Sequence, residues 1–225
     1  DSSREYVFAE RPADPEMRDS VSFWTVDDRG QVCLPRIGIE AVAANWDSHD
    51  IQVNVAYPDG RVYRLRTNGP SLPAIGPERK PTGLGARGLA FRCVEPFSVW
   101  TVSYAGKARQ TSSQDLVEGR KDGPMVDIEF DVVARMAVPP WVQGSLQTDA
   151  ANQLQTSVEG RLMGGPRYEQ LYRATGSVTV EGQCQSFTGT GLRIRRQCVR
   201  KLAGFWGHCW QSAVFPIGKA FGYIA

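Results

Sequence analysis

Short β-prone runs divided by turn dipeptides dominate this chain, and a side-chain period of two leaves few architectures open. SVSFWTV is followed by DDRG, IQVNVAY by PDG, and VYRLR, GLAFRCVEPF and SVWTVSYAG continue the pattern. Helical periodicity is nearly absent. The expected class is all-β, built from antiparallel hairpins whose strands cover one apolar side and leave the other wet.

The clearest hairpin is IQVNVAY-PDG-RVYRL, where Val53, Val55 and Tyr57 alternate with Gln52, Asn54 and Ala56 and Pro58-Asp59-Gly60 supplies the turn. Residues 68–87 are rich in proline and glycine and read as a long loop, of the kind that forms lids or mouths of pockets. MVDIEFDVVARM alternates Asp127, Glu129 and Asp131 with Val126, Ile128, Phe130 and Val132, which sends the acids to solvent. YEQLYRATGSVTV and QCQSFTGTGLRIRR form a hairpin through Glu181-Gly182 if Val180 faces Gln183. That register groups Tyr168, Gln170, Tyr172, Val178, Phe187, Arg193 and Arg195 on one side, with Glu169, Thr175, Thr179, Cys184, Thr188 and Ile194 on the other. A polar stretch ending in Gly164-Gly165-Pro166 marks a boundary between residues 1–165 and 166–225.

The chain has 225 residues, 41% hydrophobic and 22% charged, with a net charge of +2, an ordinary globular profile that calls for neither nucleic acid nor a membrane surface. No apolar run approaches the roughly 18 residues of a spanning helix. The opening DSSREYVFAERPADPEMRD lacks the order of a signal peptide, so a cytoplasmic address is expected. The first residue is Asp1 and the last six, AFGYIA, read as a strand without a closing turn, so a fragment of a longer chain is expected. Five singly spaced cysteines suit reduced thiols.

SVSFWTV, YPDGRVYRL, CVEPFSVWTVSYAG, RYEQLYRATGSVTVEG, GTGLRIRR and FWGHCWQSAVFPIGKAFGYIA together resemble the AttH-like and carotenoid 1,2-hydratase (hydroxyneurosporene synthase) lipocalin-like superfamily. The resemblance runs through most of the chain and implies an antiparallel lipocalin-like barrel over residues 1–165, followed by the first strands of a second, incomplete barrel. It also implies a greasy substrate (polyene, terpenoid or polyketide-like) and hydration, cyclisation or isomerisation without redox chemistry. A non-catalytic carrier with the same cavity is the alternative. Where many relatives place an acid or histidine before Ser-Trp-Gly, this chain has Ile194-Arg195-Arg196-Gln197.

The candidate residues follow from alternation. In FWGHCW, His208 and Cys209 are neighbours that a strand sends to opposite faces, which argues against both a metal site and a Cys/His nucleophile. His208 instead groups with Trp206 and Trp210, and a turn pairing Pro216 with Lys219 would add Phe221 and Tyr223 to that aromatic wall. The wall is either cavity lining or packed core. His208 and Glu169 are the acid/base candidates, since a carboxyl set among rings has a raised pKa; a solvent-facing glutamate is the plainer reading of Glu169. Tyr168, Gln170, Tyr172 and Arg193 are candidate polar positioners, with Trp206, Trp210 and Tyr223 as lining. The cluster Arg193, Arg195, Arg196, Arg200 and Lys201 reads as a solvated edge or an inter-barrel ion pair ahead of an anion-binding or nucleic-acid patch. No phosphate loop, nucleophile elbow or dinucleotide fingerprint is present, and neither cofactor nor metal is expected. The expected partner is a hydrophobic small molecule, with no nucleic acid.

Overall fold

The computed structural model describes residues 2–142, 149, 152, 167–199 and 209–224. Strands β1 (Met17–Asp27), β2 (Cys33–Val42), β3 (Ser48–Ala56) and β4 (Arg61–Pro70) form a meander, as the alternation and the Pro58-Asp59-Gly60 turn require. β5 (Gly83–Ala86), β6 (Leu89–Glu95), β7 (Val99–Ser112) and β8 (Met125–Met136) form a second meander. Two-residue β9 (Trp141–Val142) and the long hairpin β10 (Arg167–Val180) and β11 (Gln183–Val199) complete the large sheet.

The sheet closes on itself. β11 pairs β1, β10 pairs β8, and β7 pairs β4 over Arg61–Arg64, so the ring runs β1-β2-β3-β4-β7-β8-β10-β11 and returns to β1. Toward Val99 the two seam strands part, and the β5–β6 hairpin fills the gap, touching the end of β4 through the Ser71–Ala86 bridge. Residues 68–87, expected to be a loop, therefore carry the end of β4 and all of β5; glycines at 83 and 85 let the backbones approach where larger side chains would meet Pro73 and Leu89 carbonyls.

The expected hairpin register holds: Val180 faces Gln183 and no bulge interrupts the pairing at Gly189 or Gly191. A β-carbon on Gly191 would meet the Trp24 carbonyl and the Tyr172 ring. The glycine lets that ring lie flat against the strand, where its hydroxyl shares a 2.7 Å hydrogen bond with Thr25 Oγ1 and donates to the Trp24 carbonyl at 3.0 Å. The segment 167–199, expected to open a second domain, forms two strands of this ring. Its long apolar stripe is buried only by pairing with both β1 and β8.

Eight strands enclose a space that side chains just fill. Here Phe23, Phe91, Trp100, Tyr104, Phe130 and Tyr172 supply the bulk, and all are buried. Among the described residues the interior is thus a packed core. The second sheet consists of β12 (Trp210–Val214) and β13 (Ala220–Ile224), packed against the outside of β10 and β11. No helix of the described residues is long and apolar enough to cross a membrane, and all five cysteines are free thiols.

Candidate functional site

The candidate residues of β10 and β11 fall on opposite faces of one hairpin. Inward from β10 and β11 point Tyr168, Gln170, Tyr172, Arg193 and Arg195, all buried; outward from the same strands point Glu169, Arg167 and Arg196.

On the inner face, at one end of the barrel, Arg193 is wholly buried beside Glu5 of the short 3-10 turn Ser2–Glu5, with Nη2 2.7 Å from Oε2. The same carboxylate oxygen accepts from Trp100 Nε1 at 3.0 Å and from the Phe97 amide at 3.1 Å. Arg193 stacks over Trp100 at 5.3 Å and donates to the Gln170 carbonyl oxygen, while the Gln170 amide nitrogen donates to the carbonyls of Phe97 (3.1 Å) and Val138 (3.0 Å). Burial lowers the proton affinity of Arg193 and Glu5 opposes that shift. Nearby, burial pushes the Cys93 thiol up to about 12, which makes it an inert core thiol. Arg195 is paired with Asp19, whose other oxygen accepts from Gln197 and from the Phe8 amide. Arg195 and Gln197 also donate to the Tyr6 carbonyl. The N-terminal segment is thereby tied across the barrel mouth, leaving a cleft of about 50 Å3 lined by Arg4, Tyr168, Arg195 and Gln197.

This corrects the expectation for the basic cluster. Arg193 and Arg195 are not a solvated edge but two buried cations, each matched to a carboxylate, as charges taken out of water require. Glu5 and Asp19 were not singled out by sequence. The signal for them is indirect: two arginines on the inward face of one strand demand two carboxylates from elsewhere. Arg200 and Lys201 lie outside the described residues.

On the outer face two tryptophans flank an ion pair and a third packs against one of them. Arg167 Nε lies 2.8 Å from Glu169 Oε1, with side-chain exposures of 4% and 11%. The Arg167 guanidinium sits 5.5 Å from the Trp210 ring and 5.8 Å from the Trp141 ring, and Trp210 meets Trp24 edge-on at 5.7 Å. Burial raises the Glu169 pKa, outweighing the pull of Arg167 and Arg196. Arg196, directly across from Arg167 in the register, is also buried, and burial and then Arg167 lower its proton affinity.

The aromatic wall expected from residue 206 onward is regrouped. Trp206 and His208 lie outside the described residues, as does the Tyr223 side chain. β12 and β13 pair Val214 with Ala220 and Gln211 with Tyr223, one residue off the expected register, because the Phe215 amide bonds the Lys219 carbonyl around a turn with Gly218 at φ +83°. Phe221 then pairs with Ala213 and is 51% exposed. Trp210 lines the outside of the ring rather than a calyx. His49 sits buried in β3 against Trp46, and no cluster of histidine, cysteine and acids suited to a metal exists among the described residues.

A closed antiparallel ring with a small second sheet on its outer wall defines an all-β, barrel-type protein. The fold is similar to the crystal structure of a Nitrosomonas europaea protein provisionally assigned as an AttH, with a TM-score of 0.53 and 14% identity. The match covers 92% of this chain and 58% of that one, so the chain spans a little over half of its neighbour's length. By sequence, the chain belongs to the family described as a domain of unknown function, DUF7064, over residues 4–224. No curated protein matches it.

Proposed function

We propose that this protein binds a hydrophobic small molecule on the tryptophan-lined outer wall of β10 and β11, beneath the β12–β13 sheet. The observation that carries this reading is the Arg167–Glu169 pair flanked by Trp141 and Trp210, with Trp24 packed edge-on against Trp210, on a barrel face that alternation alone would leave wet. Flat indole faces suit a planar, polyene-like or fused-ring body, and the ion pair offers one hydrogen-bonding end. Glu169, its pKa raised by burial, is the group able to hold a proton beside an alkene or carbonyl, which keeps non-redox hydration, cyclisation or isomerisation within the reading. The carrier alternative uses the same wall without turnover.

The test begins with organic extraction of the purified protein and mass spectrometry of what is released. In parallel, all-trans-retinol is titrated while tryptophan fluorescence is followed. Saturable quenching, weakened about tenfold in Trp210→Ala, supports the wall, as one ring contributes on the order of 1 kcal/mol or more. If extraction yields no apolar compound and retinol does not saturate, the proposal is wrong. Conversion of an extracted compound that ceases in Glu169→Gln separates enzyme from carrier.

A further inference from the structure

We propose that the mouth of the barrel is a separate binding site for the carboxylate of a small organic acid, held by Arg4, Arg195 and the Tyr168 hydroxyl. It lies on the opposite face of β10 from the tryptophan wall and does not depend on it.

Three observations meet there. The first is space: the cleft of about 50 Å3 lined by Arg4, Tyr168, Arg195 and Gln197 exceeds the roughly 10–15 Å3 that one water needs and suits a head group of a few non-hydrogen atoms. The second is charge. The two carboxylates at the mouth are already committed, Glu5 to Arg193 and Asp19 to Arg195 and Gln197. Arg4 has no carboxylate partner among the described residues and rests over the Tyr168 ring at 5.5 Å. Lys80 rests likewise over Tyr6 at 5.9 Å, on the segment that covers the mouth. Among the described residues Arg4 is therefore a cation at the cleft without a carboxylate.

The third is unspent donors. Arg195, whose side chain is 1% exposed, has Nε buried without a hydrogen-bond partner among the described residues, and Arg193 Nη1 is in the same state. The Tyr168 hydroxyl forms no hydrogen bond among the described residues, and its ring is fixed edge-on by Phe97 at 5.6 Å. Gln197 spends its amide nitrogen on the Tyr6 carbonyl and Asp19, so it shapes the cleft without supplying a donor. Glu5 Oε1 is a buried acceptor of the carboxylate beside Arg193, which favours a group with a single negative charge over a more highly charged one. The Arg4 guanidinium and the Tyr168 hydroxyl, in a cleft backed by Arg195, match the two oxygens and single charge of a carboxylate.

The experiment is calorimetric titration of the full chain with acetate and octanoate at constant ionic strength, with phosphate and 1-octanol as comparison ligands. The expected result is saturable binding of both carboxylates, weakened at least about tenfold in Arg4→Gln and a few-fold in Tyr168→Phe, with no displacement by octanol. Both substitutions leave the ion pairs of the core intact, and thermal melts matching the parent verify that. Lys107→Gln, which removes a remote surface cation, leaves the affinity unchanged. The proposal is overturned if no carboxylate saturates by about 10 mM, a level weaker than most specific sites. It is also overturned if Arg4→Gln and Tyr168→Phe bind like the parent, or if phosphate binds more tightly than acetate. The retinol result does not enter this test.

Discussion

Arg193 and Glu5 are both fully buried, and Glu5 also answers Trp100 and the Phe97 amide, so one carboxylate satisfies three donors at the mouth. Replacing it strands a cation. Glu5→Gln is expected to lower unfolding free energy by about 3–5 kcal/mol, read from denaturant midpoints at unchanged slope, because a buried charge left alone is far costlier than the pair is favourable. A loss under about 1 kcal/mol would mean that the N-terminal turn is not holding the mouth. His49 makes a second case: burial lowers its pKa, so the unfolded chain takes the proton first. Its contribution is complete above the ordinary histidine value of about 6.5 and is lost as pH falls through it. Melting temperatures at pH 7.5 and 5.5 should fall in the parent and fall less in His49→Leu. Glu169, whose pKa is raised, works in the opposite direction at lower pH, so the difference between parent and variant isolates the imidazole. At this scale sequence grouped Tyr168, Gln170, Tyr172, Arg193 and Arg195 correctly on one face, since the Glu181-Gly182 turn sets their register. Their partners were illegible, because Glu5 lies 188 positions from Arg193.

The two C-terminal hairpins show what a turn can and cannot specify. In β10–β11 a two-residue turn at Glu181-Gly182 leaves one register, and its outcome agrees with the alternation of apolar residues on both strands. In β12–β13 the five-residue connection Phe215–Lys219 admits a neighbouring register, and the short strands bury too little on either face to overrule it. Gly191 belongs to the first hairpin and to its seam with β1. Gly191→Ala is expected to cost on the order of 3 kcal/mol, seen as a lowered melting temperature, because its methyl group would separate β11 from the Trp24 carbonyl and displace Tyr172. Gly182→Ala, where nothing lies within contact but φ is +82°, should cost less. A reversed order would assign the tight packing to Tyr172 alone.

For the whole molecule, closure of the ring is uneven. β10 and β11 pair from Arg167 to Val180, whereas β4 meets β7 only over Arg61–Arg64 and Arg109–Ser112. Hydrogen exchange should therefore open first at that short seam, with amides of 61–64 and 109–112 losing protection before those of 170–178. Simultaneous exchange would show a ring that opens only by global unfolding. The chain by itself determined that the fold is antiparallel β, where its clearest hairpins turn and which side chains share a face. Those properties arise from period-two alternation and turn stereochemistry between near neighbours. Only the tertiary structure decided that β11 returns to β1, that the inward arginines find Glu5 and Asp19, and that Trp210 packs outside the barrel against Trp24. Such contacts join residues far apart in the chain, 176 positions for Asp19 and Arg195, and burial selects among partners that no local pattern distinguishes.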